Sequence, residues 1–344
     1  MVHGQPTLAQ GATGLSATPK IALVGCGYWG KNLCRNFHAL GALSAVVDAT
    51  ENGQATARTL APDAQIIDSL DDVLRNDQIQ GVALATPAET HADLAIQAMQ
   101  ADKDAFVEKP MALTLEDAEK MKKVAEETGR ILMVGHLLEF HPAVLKLREL
   151  IAFGELGKIN YIYSNRLNFG KVRTEENSLW SFAPHDVAVI LRLIAQAPVE
   201  VSACGGTFLT NGIADTTLSN LRFENESRAH IFVSWLHPFK EQRLVVVGDK
   251  KMVIFNDVAP FGEKLQLYPQ NVEFDGPIPI LKKEDAQFVE HADTEPLREE
   301  CKHFLDCIQS RNQPLTNAQS GIDVLKVLHS CQQSIEQNGV PVSL

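Results

Sequence analysis

The chain has 344 residues, a length that favours two domains over one. Its hydrophobic fraction of 45% and charged fraction of 22% are those of an ordinary globular protein, and no uncharged apolar run is long enough to span a bilayer. The formal net charge of -12 argues against binding nucleic acid by blanket neutralisation of phosphates. We therefore expect neither a membrane nor a nucleic acid as a partner, and any anionic ligand should be small.

The cysteines and the first residues bear on where the protein resides. Six cysteines are scattered along the chain, at Cys26, Cys34, Cys204, Cys301, Cys307 and Cys331. They suggest no disulfide framework and include no Cys-x-x-Cys pair, which favours a reducing cytoplasm. Residues 1–19 are rich in Ala, Gly and Thr and lack the apolar segment of a secretory signal and a twin-arginine pair, so we interpret them as a flexible leader.

The first half of the chain alternates between strand and helix patterns. Strands are predicted over residues 21–25, 43–48, 81–85, 105–107 and 131–134. Helices are predicted over residues 32–40, from 53 onward, and over 91–99 and 115–128. Alternating strands and helices imply a parallel sheet. We therefore predict the α/β class, with a doubly wound Rossmann domain over residues 20–140.

The pattern changes after Pro142. An amphipathic helix and one later helix are joined by strand-like runs, and these elements cover residues 143–151, 159–169, 186–195, 218–223, 229–235 and 243–247. Consecutive strands without intervening helices predict a large, mainly antiparallel sheet. Residues 141–344 are therefore predicted to form a second, α+β domain. Two helices close it, over residues 296–310 and 321–337, and the last one could pack back on the first domain.

A glycine motif lies where the first strand ends and the first helix begins. It reads Gly25-Cys26-Gly27-Tyr28-Trp29-Gly30, the Gly-x-Gly-x-x-Gly pattern of dinucleotide sites. The first glycine makes a tight turn, the second lets the backbone approach the pyrophosphate, and the third allows the helix to pack closely on the strand. The amino terminus of that helix favours the phosphates. The pattern alone is weak, but its context predicts a dinucleotide cofactor rather than a structural turn.

Further positions complete the predicted cofactor site. Asp48 closes the second strand 23 residues after Gly25, where its carboxylate can accept hydrogen bonds from the adenosine ribose and repel a 2′-phosphate. Because no arginine follows it, the prediction is NAD rather than NADP. Thr86 and Pro87 end the next strand, and they either line the nicotinamide ribose or form an ordinary turn before a helix. His91, which begins that helix, is the remaining candidate contact.

Glu108, Lys109 and Pro110 follow an apolar run and should lie at the carboxyl end of a strand. Side chains at that end of a doubly wound sheet point into the crevice where ligands bind. Lys109 is therefore a candidate group for a reacting hydroxyl, and both Glu108 and Lys109 belong to the predicted cofactor site. Glu108 either orients Lys109 or points outward. Pro110 limits the backbone of Lys109 to extended conformations.

The glycine motif, the Thr-Pro pair and the Glu-Lys-Pro tripeptide, in this order, resemble the glucose-fructose oxidoreductase, inositol dehydrogenase and rhizopine catabolism (Gfo/Idh/MocA) family of NAD(P)-dependent sugar oxidoreductases. The resemblance covers nearly the whole chain after residue 19. Its matches near the end of the chain are Glu295, Pro296, Leu297, Glu300, His303, Phe304, Cys307 and Ile308. It implies a Rossmann domain followed by an α/β domain whose sheet often makes oligomer contacts. We therefore expect a homo-oligomer, either a dimer or a tetramer.

Members of that family commonly carry an Asp-x-x-x-His motif at the start of the helix that faces the nicotinamide, with the histidine as acid/base. The matching positions here are Ser181 and His185. The resemblance implies that His185 is the base, because an imidazole titrates near the working pH. His185 would take the proton of the reacting sugar hydroxyl. Lys109 would hydrogen-bond the oxygen of that hydroxyl and stabilise the developing alkoxide charge. Ser181 replaces the aspartate, so His185 is oriented either by Ser181 or by a group of the substrate.

Residues 166–181 resemble the branch of the family that acts on nucleotide sugars. Cations in this stretch could clasp a diphosphate, since a guanidinium pairs bidentately with phosphate oxygens, and the alternative is an exposed charged loop. These cations are Arg166, Lys171 and Arg173. Asn177 and Trp180 could contact the sugar or the cofactor, with loop capping and core packing as the alternatives. The predicted substrate site is completed by Lys109, Ser181 and His185.

The resemblance implies an enzyme that oxidises a sugar hydroxyl with NAD. Within the nucleotide-sugar branch it implies oxidation of the C3 hydroxyl of UDP-N-acetylglucosamine to a 3-keto sugar, which an aminotransferase converts further in lipid A or other cell-envelope synthesis. The alternative substrates are another UDP-sugar, such as a uronate, or inositol. A non-catalytic NAD-responsive regulator is the alternative from a different class of protein. His136, Glu139 and His141 lie close together in the sequence, and the spacing of the two histidines resembles a metal-binding helix only loosely. No third ligand with firm geometry completes a metal site with them, so we predict no metal.

Overall fold

The computed structural model describes residues 18–344. The predicted leader, residues 1–19, therefore lies almost wholly outside the described residues. Within residues 18–344, no helix combines the length and the apolar character that crossing a membrane requires. All six cysteines are free thiols.

The first half of the chain alternates strands and helices up to residue 135. The strands are β1 (Ile21–Val24), β2 (Leu43–Val47), β3 (Gln65–Ile67), β4 (Gly81–Leu84), β5 (Asp104–Glu108) and β6 (Leu132–Gly135). The helices are α1 (Gly30–Ala39), α2 (Glu51–Leu60), α3 (Leu70–Leu74), α4 (His91–Gln100) and α5 (Leu115–Thr128). The sequence prediction missed β3 and α3, because a three-residue strand that is only partly buried leaves a weak hydrophobic pattern.

These six strands form one parallel sheet in the order β3-β2-β1-β4-β5-β6. Strands β1, β4, β5 and β6 are buried at every position, as expected for a sheet covered by helices on both faces. The predicted doubly wound Rossmann sheet is thus confirmed. The strand order reverses between β1 and β4, and in such sheets ligands bind outside the carboxyl ends of the strands at that point.

The second half of the chain begins with α6 (Pro142–Ala152) and is dominated by strands. The longer strands are β7 (Ile159–Phe169), β8 (Pro198–Gly206), β9 (Thr216–Phe223), β10 (Arg228–Ser234), β11 (Leu236–Gly248) and β12 (Met252–Asn256). The shorter strands are β13 (Leu265–Tyr268), β14 (Asn271–Asp275), β15 (Ile278–Lys282), β16 (Gln287–Phe288) and β17 (Val342–Ser343). The remaining helices are α7 (Ser178–Ile194), α8 (Pro296–Ser310) and α9 (Ala318–Glu336).

Nine of these strands form a second sheet in the order β16-β13-β12-β11-β7-β10-β9-β8-β17. Only the β7 and β10 pair is parallel among the described strands of this sheet, so the predicted mainly antiparallel sheet is confirmed. Apolar side chains of α6, α7 and α9 pack on one of its faces. Strands β14 and β15 form a separate exposed hairpin that leaves the sheet edge between β13 and β16.

Helix α7 begins at Ser178, eight residues before the predicted start at Asp186, so that predicted start is wrong. Proline disfavours a helix interior because it removes a backbone donor, yet Pro184 lies inside this helix. The side chain of Asn177 caps the amino terminus by accepting a hydrogen bond from the backbone N–H of Trp180 at 3.2 Å. The longer helix brings Ser181 and His185 onto one face, four residues apart.

Helices α8 and α9 both contact the Rossmann sheet or its helices. Phe304 of α8 makes edge-to-face contacts with Phe37 of α1 and Phe106 of β5, at ring-centroid distances of 6.4 and 5.8 Å. Helix α9 packs against α5, and Ile322 and Leu325 enter the apolar cluster beneath the parallel sheet. The two halves of the chain therefore share their cores through the C-terminal helices.

Candidate active site

The three glycines of the motif meet three different needs. Gly25 adopts a φ of +89°, and a Cβ at this position would lie 2.7 Å from the carbonyl oxygen of Ala85. A Cβ at Gly30 would lie 2.0 Å from the carbonyl oxygen of Gly25, which explains the close approach of α1 to the strand end. A Cβ at Gly27 would meet no atom of residues 18–344 within 4 Å. The space beside Gly27 is therefore open to a ligand, as a pyrophosphate requires.

Asp48 is held by the backbone of the glycine loop. Its carboxylate accepts hydrogen bonds from the backbone N–H of Cys26 at 2.6 Å and from the N–H and hydroxyl of Thr50 at 2.8 and 2.7 Å. Burial raises the pKa of Asp48, but these hydrogen bonds outweigh burial and hold the pKa below its ordinary value. A Cβ at Gly53 would lie 2.2 Å from the carboxylate carbon, so glycine is needed beside it. The ionised Asp48 is positioned at the ribose end of the crevice.

His91 links the ends of two strands through its imidazole. Nδ1 lies 2.9 Å from the carbonyl oxygen of Pro110, and Nε2 lies 2.9 Å from the carbonyl oxygen of Thr86. The ring is 1% exposed, and burial outweighs both hydrogen bonds and lowers the pKa of His91. The ring nitrogens are thus engaged by protein carbonyls. The hydroxyl of Thr86 bonds that of Thr90 at 2.7 Å, and Pro87 precedes the short turn that leads into α4.

Glu108 connects the end of β5 to the glycine loop. The indole Nε1 of Trp29 donates a hydrogen bond to the carboxylate of Glu108, across 79 residues of sequence. Glu108 is buried, and burial raises its pKa to about 7, while Trp29 and Lys109 act in the opposite direction. The peptide bond between Lys109 and Pro110 is cis. Glu108 therefore points back toward the cofactor loop rather than outward.

Lys109 lies between the two halves of the chain. Its Nζ donates a hydrogen bond to the backbone carbonyl of Ser181 in α7 at 3.3 Å. Burial lowers the pKa of Lys109 below its ordinary value, Arg173 and Arg166 lower it further, and the carboxylates of Glu176 and Glu108 oppose the change. A shielded ammonium with two remaining N–H groups is well suited to hydrogen-bond a reacting oxygen.

His185 lies one helical turn after Ser181. Burial, and then the nearby cations of Lys109 and Arg166, lower the pKa of His185 well below its ordinary value. The imidazole is therefore neutral at physiological pH and can accept a proton. Within residues 18–344, neither His185 Nδ1 nor the Ser181 hydroxyl has a hydrogen-bond partner, although both are buried. The structure thus brings Lys109, Ser181 and His185 together, as the sequence predicts.

Arg166 is held by an acidic residue that the sequence analysis did not select. Its Nε and Nη2 donate to the two carboxylate oxygens of Asp186 at 2.7 and 3.1 Å, and the Ser164 hydroxyl donates to the same carboxylate at 2.6 Å. Both partners are largely buried, at 12% and 3% side-chain exposure. The bidentate face of Arg166 is therefore occupied by Asp186 and is not directed at a diphosphate. One indication of this partner was present in the sequence, because an aspartate directly follows the candidate base His185.

The other predicted cations have different neighbours. Lys171 Nζ lies 5.9 Å from the ring centroid of Tyr28 in the glycine motif, and Lys31 Nζ lies 5.6 Å from the same ring. Tyr28 is 81% exposed, so this contact lies at the open side of the cofactor loop. Arg173 pairs with Glu176 at 3.2 Å and with Glu175 at 3.7 Å. The three cations are thus held at separate places.

Asn177 and Trp180 adopt the structural arrangements that were the alternatives in the sequence analysis. Asn177 caps α7 and donates from Nδ2 to Gln332 at 2.8 Å. The Trp180 ring packs edge-to-face on His329 with centroids 4.9 Å apart. Both side chains link α7 to α9.

Two buried residues near Lys109 were missed as site residues. His136 is 2% exposed and its two ring nitrogens lack hydrogen-bond partners among the described residues. Glu300 of α8 is fully buried, and no described group bonds either carboxylate oxygen. Burial first, and then the carboxylates of Glu108 and Glu139, raise the pKa of Glu300 well above its ordinary value. Glu300 is thus a buried, unpaired carboxyl close enough to Glu108 for the two charges to interact.

The histidines after β6 have separate partners. His141 caps α6 through Nδ1, which accepts from the backbone N–H of Ala143 at 3.1 Å, and its Nε2 lies 3.4 Å from Asp257. Glu139 accepts a hydrogen bond from Arg192 at 2.5 Å. Across residues 18–344, no group of three or more His, Cys, Asp and Glu side chains could hold a metal ion.

Fold and site together define the class of protein. A parallel sheet carries the glycine motif at its switch point, an ionised Asp48 and open space beside Gly27, and these features fit NAD. Lys109, at the end of β5 in the same sheet, bonds α7 close to His185. The fold and site are those of an NAD-binding oxidoreductase.

The chain belongs to the Gfo/Idh/MocA family. The family described as "Oxidoreductase family, NAD-binding Rossmann fold" matches residues 19–136, and its C-terminal domain matches residues 144–254. The resemblance stated from the motifs is thus confirmed, and so are the NAD cofactor and the assignment as an enzyme.

Several relatives show the range of the family. The chain is 28% identical to 2,7-anhydro-N-acetylneuraminate hydratase of Mediterraneibacter gnavus, over 72% of this chain and 69% of the relative. It is 24% identical to UDP-N-acetylglucosamine 3-dehydrogenase of Acidithiobacillus ferrooxidans, over 92% and 97%. It is 27% identical to scyllo-inositol 2-dehydrogenase (NAD(+)) of Bacillus subtilis, over 79% and 80%. A solved structure of the Acidithiobacillus ferrooxidans enzyme has a TM-score of 0.82 at 23% identity, covering 92% of this chain and 97% of that one.

Proposed function

We propose that this enzyme oxidises the C3 hydroxyl of UDP-N-acetylglucosamine to the 3-keto sugar with NAD. The observation that carries the proposal is similarity to the Acidithiobacillus ferrooxidans 3-dehydrogenase over 92% of this chain and 97% of the relative. The inositol dehydrogenase and hydratase relatives match over smaller shares of this chain, 79% and 72%. The geometry supports an alcohol dehydrogenation, since a neutral imidazole and a lysine meet where the carboxyl end of β5 approaches α7.

In this mechanism, residues of the chain accept the proton of the sugar hydroxyl and stabilise the charge on its oxygen. Bound NAD supplies the hydride acceptor. His185, kept neutral by burial and neighbouring cations, accepts the proton of the sugar hydroxyl. Lys109 donates a hydrogen bond to the same oxygen and stabilises the negative charge that develops on it. Its bond to the Ser181 carbonyl fixes the ammonium beside α7, where His185 also lies.

The cofactor is held by the groups that the geometry aligns along β1, β2 and β5. Gly27 leaves room for the pyrophosphate, and Asp48 accepts hydrogen bonds from the adenosine ribose. Asp48 Oδ2 has one donor among the described residues, the N–H of Cys26, so it keeps acceptor capacity for a hydroxyl. Trp29 and Glu108 connect this loop to the strand that carries Lys109.

The substrate's diphosphate would meet cations from the segment that follows β7. Lys171 is exposed, and Arg173 is partly exposed and shared between the exposed Glu175 and the partly exposed Glu176. The pair with Glu175 is a weak surface pair, so a diphosphate can compete for that side of Arg173. Arg166 contributes through its pair with Asp186, which ties β7 to the middle of α7, one residue after His185.

The proposal extends to the setting of the enzyme. The 3-keto product would feed an aminotransferase in lipid A or other cell-envelope sugar synthesis. Six free thiols fit a reducing cytoplasm. Exposed Tyr161 and Leu218 on strands of the nine-stranded sheet fit a homo-oligomer. Each of these statements stays a prediction.

The test is an NAD-reduction screen with UDP-N-acetylglucosamine, its uronate, UDP-glucose and scyllo-inositol. Each reaction is coupled to a 3-aminotransferase that removes the ketone, and the amino sugar is identified by mass spectrometry. We expect NADH formation with UDP-N-acetylglucosamine and a product aminated at C3. Oxidation of inositol with all UDP-sugars inert would refute the proposed substrate.

A further inference from the structure

His136 occupies the strand end next to Lys109. It directly follows β6, and Gly135 at the end of β6 pairs in parallel register with Glu108 at the end of β5. His136 and Lys109 are therefore equivalent positions on adjacent strands, which lie about 4.8 Å apart in a sheet. Both belong to the carboxyl edge where the crevice opens.

The environment of His136 keeps a lone pair available. The residue is 2% exposed, and no group of residues 18–344 bonds either of its ring nitrogens. Burial first, and then the cations of Lys109 and Arg192, lower its pKa to about 3. A neutral imidazole has one nitrogen that accepts a hydrogen bond. Leaving that nitrogen buried without a donor is unfavourable, because the nitrogen loses its hydrogen bond to water and gains none in return, so a purely structural role explains the position poorly.

The hydrogen-bond capacity of Lys109 supplies the missing donor. An ammonium has three N–H groups, and one of them goes to the Ser181 carbonyl at 3.3 Å. The proposed reaction uses a second for the sugar oxygen. A third remains, and hydrogen bonds of catalytic groups often shorten only when the ligands are bound.

We propose that His136 is a positioning residue, which accepts a hydrogen bond from Lys109 Nζ and thereby directs the ammonium at the reacting oxygen. With acceptors at Ser181 and His136, the long flexible stem of Lys109 has one N–H direction left for the substrate. The proposal rests on the proposed function only for the identity of that oxygen. The contact between Lys109 and His136 can be tested without a sugar.

The direct test measures the pKa of Lys109 in the NADH-bound protein by competitive labelling with acetic anhydride at a series of pH values, read by mass spectrometry. The charged groups that face Lys109 are Glu108, Glu176, Arg166 and Arg173, and the substitutions leave all of them in place. His136→Phe removes the acceptor, and we expect the pKa of Lys109 to fall by about one unit. His230→Phe, on a ring stacked with Tyr163 in the second sheet, is the matched control and should leave it unchanged.

Two conservative variants identify the accepting nitrogen. The side-chain oxygen of asparagine takes roughly the place of Nδ1, and that of glutamine roughly the place of Nε2. We expect one of His136→Asn and His136→Gln to keep the wild-type pKa of Lys109 and the other to lower it. This comparison still decides the question if His136→Phe does not fold. A pKa of Lys109 that is the same in the wild type and in every folded variant overturns the proposal.

Activity provides the second readout, with whichever sugar the wild type oxidises. We expect His136→Phe to lower kcat by about 10- to 100-fold and to move the alkaline limb of the kcat profile to lower pH, with the Kd for NADH unchanged within about twofold. Loss of kcat without a shift of that limb would indicate a structural role and overturn the proposal. Inactivity of the wild type on UDP-N-acetylglucosamine would refute the proposed function alone, because the labelling result does not depend on a substrate.

Discussion

The cofactor side of the site, with Asp48, His91 and Glu108, differs from the chemical side, with Lys109, His136, Ser181 and His185. The difference lies in how many of their polar groups have hydrogen-bond partners. Asp48, His91 and Glu108 all have hydrogen-bond partners within the protein. In contrast, both ring nitrogens of His136, the hydroxyl of Ser181 and Nδ1 of His185 have none among residues 18–344. Buried polar groups in native proteins are nearly always paired. The polar groups of the cofactor side therefore have their hydrogen bonds before any ligand binds, whereas those of the chemical side remain available for new hydrogen bonds when a ligand binds.

The largest effect is expected on the chemical side, from Lys109→Ala. Removing the ammonium takes away a group that stabilises charge on the reacting oxygen, which typically costs about 10²–10³-fold in kcat. We expect a loss of that size in the NAD-reduction assay, with the Kd for NADH within about threefold of wild type. Lys122→Ala, which removes an exposed helix pair with Glu126, is the control. Unchanged steady-state NAD reduction by Lys109→Ala would exclude the proposed mechanism.

Arg166→Met tests a residue that lies on the chemical side but, unlike His136, has a partner within the protein. That partner is Asp186, which directly follows His185. Removing one partner of a buried ion pair leaves Asp186 uncompensated and costs about 3–5 kcal/mol of stability. Chemical denaturation of the apo protein measures this loss. Arg222→Met breaks an exposed pair with Glu200 and should cost below about 1 kcal/mol. Equal costs for the two variants would show that Arg166 is not held by Asp186 in solution.

Gly27→Ala tests the prearranged cofactor side. The added methyl would meet no atom of residues 18–344 within 4 Å, so the apo protein should unfold at the wild-type temperature. The same methyl would occupy the space of the pyrophosphate, and we expect the Kd for NADH to rise about 10- to 100-fold in a fluorescence titration. Gly262→Ala also meets no described atom within 4 Å and should change neither quantity. NADH binding as tight as wild type would remove Gly27 from the cofactor site.

Glu300→Gln tests the unpaired carboxyl behind the site. The pKa of Glu300 in the folded protein is raised, so its contribution to stability is complete below its ordinary value of 4.5 and is lost as the pH rises through the folded pKa. Glutamine cannot ionise, and we expect the variant to gain about 1–2 kcal/mol over wild type at pH 8 and nothing at pH 4.5. Differential scanning fluorimetry over this range measures the difference, with Glu299→Gln as the neighbouring control. A constant difference across pH would contradict the buried, uncharged state of Glu300.

Lys171→Ala should give the smallest effect. Lys171 approaches Tyr28 at the open side of the cofactor loop, where salt screens its charge. We expect a two- to fivefold rise in the Kd for NADH at low ionic strength, which disappears at about 1 M salt, and no change in thermal stability. Lys240→Ala, exposed on β11, is the control. The KM for the nucleotide sugar should rise by a similar factor, because the proposed function also places Lys171 near the substrate's diphosphate, and no change in either quantity would remove Lys171 from both sites.

The comparison also explains how much the sequence could predict. The glycine motif, Asp48 and Lys109 are predictable because each depends on a local rule, a turn or the end of a strand. The parallel sheet and the mainly antiparallel sheet follow from the order of the strand and helix patterns. The structure and the family match confirm the two sheets and the NAD-binding fold, while the individual roles of Asp48 and Lys109 stay predictions.

Features that depend on distant partners could not be predicted in this way. The pairing of Arg166 with Asp186 spans 20 residues, and the hydrogen bond from Trp29 to Glu108 spans 79. Glu300 comes into the site from a helix that is remote in sequence and packs on α1. No spacing rule relates such positions, because their contact exists only once both domains are folded. His136 could have been selected from the sequence because it directly follows a buried strand. It was considered only as a metal ligand.

The return of α8 and α9 to the first domain has a consequence for engineering. The cofactor site is supported by a discontinuous unit, residues 18–140 together with residues 296–336, whose contacts include the Phe37, Phe106 and Phe304 rings. A chimaera that exchanged only the N-terminal segment with that of a relative would place a foreign surface against both helices. Recombination between members of this family should therefore preserve activity best when the two terminal helices are inherited together with the glycine motif.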